Sequence, residues 1–232
     1  MKPVYFDFQQ GTPQWISARL GKPTGSRFDE IVTPTGKAST GKGRADYMLE
    51  LLAERMTNCL TDHKASFSQQ AAMERGTRLE PEARAWYSFS ADREVKEVGF
   101  VECEEHRGKF GASPDGICAD RGIEIKCPES TNMLRLLLAD EKSAVNPYLL
   151  QIQAGMWLTG LPKWDLVIYT DAPWLCNRII TVEADAVIHA ALEKYVLAFC
   201  EELDAAEKRL LEMGCRPILQ GSRPLRDMMD EL

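Results

Sequence analysis

The stretches SPDG at residues 113–116 and GIEIKCP at residues 122–128 predict a turn followed by a short β-strand. SPDG is typical of a type I turn, with proline in its second position and glycine in its fourth. GIEIKCP alternates like a strand, so that successive side chains point to opposite faces. Glu124 and Lys126 then share one face, and Asp115 reaches that face from the turn. The opposite, buried face takes Ile123, Ile125 and Cys127.

Two carboxylates and an ammonium group at one place suit the chemistry of a metal-dependent nuclease. Carboxylate oxygens bind divalent metal ions, and such an ion activates a water molecule beside a phosphodiester. The same residues also fit an ordinary turn and a half-buried strand with solvated charges. The choice between these interpretations depends on the rest of the chain.

Composition indicates a soluble globular protein of one substantial domain. The chain has 232 residues, of which 44% are hydrophobic and 27% charged. We expect a single nuclease domain over residues 1–213 and an irregular tail over residues 214–232. No run of about 18 apolar residues predicts a membrane span, and the start of the chain has no apolar signal core. The expected location is therefore the cytoplasm.

Cysteine spacing and net charge exclude several classes of site. The seven cysteines contain no Cys-x-x-Cys pair and the three histidines are far apart, which argues against a disulfide framework, a zinc finger or an iron–sulfur cluster. The net charge of −7 means that a nucleic-acid surface must be a local basic strip on an acidic body. Bound divalent cations would reverse the sign of an acidic site.

The hydrophobic pattern predicts an α/β (α+β) fold with a central mixed β-sheet flanked by helices. The predicted helices cover residues 13–20, 27–32 (capped by Ser26), 44–56, 131–138 and 147–159, with a further helix started by a capping box at residues 77–80. The predicted strands cover residues 94–102, 108–112, 116–119, 122–127, 163–170 and 175–182. A last helix carries an apolar stripe from Ile188 to Leu210, which suits either the core or an interface between subunits.

Five segments, in this order, resemble the lambda-exonuclease (YqaJ-type) family of phage recombination nucleases, within the restriction-endonuclease-like PD-(D/E)xK superfamily. They are WISARLG with TGS (15–26), ERG to EPEA (74–83), SPDG (113–116), EIKCP (124–128) and YLLQIQ with GMW (148–157). The resemblance extends over about residues 14–200. It implies the restriction-endonuclease-like fold for the central mixed sheet.

The resemblance also implies a set of catalytic residues. Asp115, Glu124 and the main-chain carbonyl of Ile125 would bind Mg²⁺, for which Mn²⁺ can substitute, and Lys126 would orient the attacking water. Glu80 would be a further active-site carboxylate, although its place in the capping box also fits a helix cap.

The helix after the strands carries two glutamines. The resemblance implies that Gln153 faces the metal ions and that Gln151 is less central. The alternative for Gln153 is a surface position on an amphipathic helix.

The resemblance implies a pocket for a 5′-terminal phosphate, formed by Arg19, Ser26 and Ser113. Arginine suits a phosphate because its guanidinium is a planar fork of donors. The alternatives are a helix-terminal arginine, a capping serine and a turn serine. The family adds a basic residue from the next loop; Thr35 stands at the nearest position, and the candidates that substitute for it are Lys37, Lys42 and Arg44.

Met73 stands where the family has an apolar wedge that parts the terminal base pair. A buried methionine of the core is the alternative.

The resemblance therefore implies a 5′→3′ exonuclease that acts on double-stranded DNA ends, degrades the 5′-phosphorylated strand to mononucleotides and leaves 3′ overhangs. The resemblance further implies a homotrimeric ring and a single-strand annealing protein as partner. Two alternatives keep the fold: a restriction-like endonuclease that cuts internally, and a non-catalytic DNA-binding scaffold. The joint presence of Asp115, Glu124 and Lys126 argues against the scaffold.

Overall fold

The computed structural model describes residues 1–61 and 67–218, apart from the side chains of residues 67–69. Within this part the strands are β1 (Pro3–Phe6), β2 (Phe100–Cys103), β3 (Gly116–Ile117), β4 (Arg121–Lys126), β5 (Lys163–Ile168) and β6 (Arg178–Glu183). The helices are α1 (Pro13–Arg19), α2 (Lys42–Thr57), α3 (Phe67–Ala91), α4 (Ser130–Leu138), α5 (Glu141–Val145), α6 (Leu149–Thr159) and α7 (Ala186–Glu212). None of the described helices is long and apolar enough to cross a membrane.

A mixed four-stranded sheet in the order β3-β4-β5-β6 forms the centre of the fold. β4 runs parallel to β5, whereas the β3–β4 and β5–β6 pairs are antiparallel. β1 and β2 form a separate antiparallel pair. The predicted mixed sheet flanked by helices is therefore confirmed.

β4 lies in the middle of this sheet and is covered on both faces. Ile123 and Ile125 pack against Ala83 and Tyr87 of α3, as the alternation of the strand predicts. Glu124 on the opposite face is only 3% exposed. The strand is therefore not an ordinary half-buried strand with solvated charges.

α6 packs against the sheet at a point where two glycines make room for one indole ring. A Cβ on Gly122 of β4 would lie 2.3 Å from the ring of Trp164, and one on Gly155 of α6 would lie 2.5 Å from it. Trp164 on β5 is 1% exposed. This contact fixes α6 against β4 and β5 and sets which α6 residues reach the end of β4.

The apolar stripe of α7 belongs to the core of the chain. Leu192, Phe199 and Leu203 are completely buried in the cluster that also contains Tyr47 and Leu51 of α2. The Phe199 and Tyr47 rings stack with their centroids 5.8 Å apart. Of the two interpretations of the stripe, the structure supports the core.

The helices of the first part of the chain differ from the prediction in two places. α3 begins at Phe67, so residues 77–80 lie within the helix and form no capping box; the Thr77 hydroxyl donates to the carbonyl of Met73. Residues 25–30 form a 3₁₀ turn, not an α-helix, and Thr24, not Ser26, stands at its cap position.

The strands also differ in extent. The predicted strand 94–102 is regular only from residue 100 onward, where it forms the first three residues of β2 (Phe100–Cys103), and residues 108–112 contribute isolated bridges from Gly111 and Ala112. β1 was not predicted. The predicted tail is described only as far as Ile218, whose N–H donates to the carbonyl of Met56 at 2.8 Å, and residues 219–232 lie outside the described part.

Candidate active site

A cleft of about 210 Å³ opens at the carboxyl end of β4. It brings together most of the residues that the sequence singles out, from α1, α3, the turn before β3, β4 and α6. Its lining includes Arg19, Ser26, Glu80, Ser113, Asp115, Glu124, Ile125, Lys126 and Gln151. Gln153, Lys37 and Met73 are not among the lining residues.

Short contacts hold the two carboxylates and the ammonium group. The Lys126 Nζ lies 2.7 Å from Glu124 Oε1. The Asp115 Oδ2 accepts a 2.6 Å hydrogen bond from the main-chain N–H of Ile125, which ties the turn to the middle of β4. The predicted convergence of Asp115, Glu124 and Lys126 is therefore present.

Burial and mutual repulsion make these carboxylates hard to ionise. Burial raises the pKa of Glu124 to about 8, with Lys126 opposing the shift and Asp115 adding to it. Burial also raises the pKa of Asp115, against the opposing effects of Lys126 and the Ile125 N–H. Burial and then Asp115 raise the pKa of Glu80 to about 7. A divalent cation among these groups would relieve the repulsion, so the site suits such an ion.

Oxygen donors dominate the cleft, as a hard cation such as Mg²⁺ requires. Among the described residues, no group of three or more His, Cys, Asp and Glu side chains is close enough to hold a metal ion alone. Asp115 and Glu124 would therefore supply the side-chain ligands, with a main-chain carbonyl and water molecules completing the shell. Mg²⁺ commonly binds with one or two carboxylates and keeps several waters.

Lys126 stays an ammonium group in this setting. Its burial alone would lower its pKa, but Glu124 and Asp115 outweigh burial and raise the pKa above its usual value. Its Nζ also lies 3.3 Å from Gln151 Oε1 and 5.1 Å from the centre of the Tyr148 ring. These contacts fix a charged donor beside the carboxylates.

The prediction that Gln153 faces the metal-binding groups is wrong. Gln153 is 1% exposed, its Nε2 donates to the carbonyl of Glu183, and its Oε1 accepts from the N–H of Asp185. It joins α6 to the end of β6 and the start of α7. Gln151 reaches the cleft instead, two residues earlier on the same helix.

Glu80 lies in the interior of α3, so the interpretation as a helix cap is wrong. Its Oε1 accepts a 2.5 Å bond from Arg84, one turn further along the helix. Arg84 also donates to the carbonyl of Asp115 at 2.9 Å. The spacing of Glu80 and Arg84 does not indicate this role, because an acid and an arginine four residues apart are common on solvated helix faces.

Arg19, Ser113 and Trp15 form a compact donor group beside the carboxylates. The Ser113 Oγ lies 2.9 Å from the Trp15 Nε1 and 3.1 Å from the Arg19 Nη1. The Arg19 guanidinium lies 4.5 Å from the centre of the Trp15 ring and also donates to the Thr24 hydroxyl. Ser26 is exposed and lines the same cleft. Trp15, for which the sequence predicts no role, holds the arginine and the serine together.

The loop candidates lie elsewhere. Lys37 is exposed and its main-chain groups bond to Thr33, whereas Arg44 lies 2.8 Å from Glu202 of α7. Met73 is 68% exposed on α3, so it is not a core residue. Its role as a wedge stays a prediction, as does any contact of Lys37 with a phosphate.

Comparison with known proteins adds independent findings. Residues 14–162 match the YqaJ-like viral recombinase domain. An alkaline exonuclease from Laribacter hongkongensis, solved alone and in complex with dAMP, is 35% identical over 88% of this chain and 98% of its own, with a TM-score of 0.75. A phage-related exonuclease from Haemophilus somnus 129PT has the same fold, with 13% identity over 82% of this chain and 96% of its own and a TM-score of 0.62. No curated protein sequence matches the chain.

Proposed function

The chain belongs to the YqaJ-like viral recombinase family and is a nuclease of phage-type recombination, and on this premise we propose a specific activity. The protein is a Mg²⁺-dependent exonuclease that digests the 5′-phosphorylated strand of double-stranded DNA from its end. Digestion proceeds 5′→3′, releases mononucleotides and leaves 3′ overhangs that recombine by strand annealing.

The observation that carries this proposal is the joint position of two groups in one cleft. Ser113 belongs to the donor group with Arg19 and Trp15, and Asp115, two residues later on the same turn, belongs to the carboxylate group. A phosphate bound by Arg19 would therefore lie beside the carboxylates. An enzyme that binds a terminal phosphate beside its catalytic residues acts on the ends of DNA strands.

The residues divide the chemical work. Arg19, Ser26 and Ser113 hold the terminal phosphate, and Asp115 and Glu124 hold the metal ion, with Glu80 beside them. Lys126, fixed by Gln151, donates to the attacking water and favours its hydroxide form. When bound, the divalent ion supplies an activated water and stabilises charge on the leaving 3′ oxygen.

The related alkaline exonuclease supports the proposed product class, because it was solved with dAMP, a deoxynucleoside monophosphate. By family resemblance we extend the proposal to a homotrimeric ring, to a single-strand annealing protein as partner and to action in the cytoplasm. Light scattering should then give a mass three times the 26.1 kDa of the chain. A pull-down with the annealing protein tests the partner.

Digestion of end-labelled duplexes tests the activity. Linear DNA with a 5′-phosphate or a 5′-hydroxyl and a closed circle are incubated with Mg²⁺ or Mn²⁺. We expect mononucleotides from 5′-phosphorylated ends and an intact circle. A cut circle would identify an endonuclease, and no cleavage with either ion would favour the scaffold.

Substitutions assign the residues. Asp115→Ala, Glu124→Ala and Lys126→Ala should each abolish cleavage while circular dichroism stays unchanged. Arg19→Ala should erase the preference for phosphorylated ends. Arg93→Ala is the matched control, since Arg93 pairs with Asp120 at the opposite end of β4. Equal loss on phosphorylated and hydroxyl ends in Arg19→Ala would contradict the phosphate pocket.

A further inference from the structure

We propose that Arg84 is a positioning residue of this site, which holds Glu80 and Asp115 in the arrangement that binds the divalent metal ion. The inference rests on the proposed function, because it assumes that the carboxylate group is a metal site. Arg84 itself contacts none of the proposed reacting atoms and acts through its neighbours.

All three guanidinium nitrogens of Arg84 are engaged. Nη2 bonds Glu80 Oε1 at 2.5 Å, Nε donates to the carbonyl of Asp115 at 2.9 Å, and Nη1 bonds Glu97 Oε1 at 2.7 Å. The side chain is only 13% exposed. One planar group therefore ties α3 to the turn before β3 and to the segment before β2.

Asp115 is held both at its main chain and at its side chain. Arg84 holds its main-chain carbonyl, and the N–H of Ile125 holds its carboxylate at 2.6 Å. Glu80 is held toward the same place by the same guanidinium. Arg84 thus links the Glu80 carboxylate to the main chain of Asp115, while the Ile125 N–H orients the Asp115 carboxylate.

Only arginine can make this set of contacts. Its guanidinium presents donors in a rigid fork, whereas lysine carries one nitrogen on a flexible stem. The contact with Glu97 matters least, because that carboxylate is 68% exposed and an exposed ion pair contributes little. The contacts with Glu80 and Asp115 are the ones that the proposal needs.

The charge of Arg84 and its positioning role should affect metal binding in opposite directions, so substitutions can separate them. A cation beside a metal site repels the metal ion, so loss of charge alone would tighten metal binding. Loss of positioning would weaken it. Arg84→Gln removes both the charge and the fork, and Arg84→Lys keeps the charge and removes the fork.

The measurement is Mn²⁺ binding to the full chain without DNA, followed by the electron paramagnetic resonance of free Mn²⁺. We expect about tenfold weaker binding in Arg84→Lys, the range seen when groups that orient metal ligands are lost. The loss should be smaller in Arg84→Gln, because loss of the charge offsets part of the lost positioning. Glu97→Gln, which removes only the charge of the exposed partner, and Arg93→Gln should bind like the unsubstituted protein. Thermal melting confirms that each variant is folded at the temperature of the titration.

Full or increased affinity in Arg84→Lys, which keeps the charge and loses only the fork, would overturn the proposal. A lower melting temperature with unchanged Mn²⁺ affinity would also overturn it, since that is the result of a purely structural role. Absence of Mn²⁺ binding by the unsubstituted protein would instead reject the metal site on which the proposed function depends.

Discussion

Two neighbouring glutamines on α6 have different roles. Gln151 and Gln153 are two positions apart, yet only Gln151 reaches Lys126, while Gln153 bonds the main chain at Glu183 and Asp185. Gln151 therefore contacts a proposed catalytic residue, whereas Gln153 stabilises the fold.

Substitution by alanine should separate these roles. Gln153→Ala leaves two main-chain groups without their partner and should lower the free energy of unfolding by about 2 kcal/mol. Gln151→Ala frees the Lys126 ammonium and should lower kcat about tenfold, the range for groups that orient others, with an unchanged melting temperature. Urea denaturation and single-turnover digestion measure the two effects. The reverse pattern would restore Gln153 to the active site.

The pKa of Glu124 predicts how the metal-free protein responds to pH. Because burial raises this pKa from 4.5 to about 8, the folded state favours the protonated carboxyl. The stability that this group contributes is fully present below pH 4.5 and is lost as the pH rises through about 8. In EDTA the melting temperature should therefore fall over this range.

Glu124→Gln should flatten that pH profile, because the amide does not ionise. Glu212→Gln, an exposed carboxylate at the end of α7, is the control and should keep the slope of the unsubstituted protein. Added Mg²⁺ should restore the melting temperature of the unsubstituted protein near pH 8. Parallel profiles for Glu124→Gln and the unsubstituted protein would contradict the assignment.

The sequence predicts which carboxylates meet in the cleft, but it does not predict which residues hold them and Lys126 in place. Strand alternation alone places Glu124 and Lys126 on one face, because the side-chain period of a strand is fixed. Whether Gln151 or Gln153 meets them depends on the packing of α6 around Trp164, which is a tertiary contact.

At the scale of the element, α3 shows tertiary packing overriding local signals. Thr77 followed by Glu80 has the pattern of a capping box, and Pro81 suits a first helical turn. The helix nevertheless runs through both, from Phe67 to Ala91, with Leu79, Ala83 and Tyr87 completely buried. Burial of this apolar face outweighs the hydrogen bond that Pro81 cannot make.

Two glycines in helices should respond to alanine with opposite signs. Gly155→Ala places a Cβ 2.5 Å from the Trp164 ring and should cost about 1–3 kcal/mol through overpacking. Gly76→Ala meets no atom within 4 Å in α3 and should gain up to about 1 kcal/mol from helix propensity. Urea denaturation measures both. Equal effects would mean that the close approach of α6 to the sheet is not tight.

Displacement of α6 should also reach the active site. Gln151 is one turn before Gly155, so Gly155→Ala should weaken its contact with Lys126 and lower kcat along with stability. A Gly155→Ala variant with normal kcat would separate the packing of α6 from the placement of Gln151.

At the scale of the whole molecule, charge limits how the protein holds DNA. The chain carries a net charge of −7 at pH 7, so a duplex is repelled except where cations stand locally. Arg19 lies beside hydroxyl groups that can also bind a phosphate. Arg84, in contrast, is already paired with the carboxylates of Glu80 and Glu97. Affinity for DNA ends should therefore rest on few phosphate contacts and on the bound metal.

Salt dependence tests this limit. The logarithm of the binding constant falls with the logarithm of the salt concentration with a slope of about −0.9 for each phosphate contact. For a 5′-phosphorylated duplex and an Asp115→Asn variant, which is expected not to cleave, fluorescence anisotropy should give a slope no steeper than about −4. Adding Arg19→Ala should make that slope shallower by about 1, whereas adding Arg93→Ala should not change it. A slope of about −6 or steeper that does not change in Arg19→Ala would mean that basic residues outside the cleft bind the duplex. The phosphate pocket alone would then not explain how an acidic protein binds a DNA end.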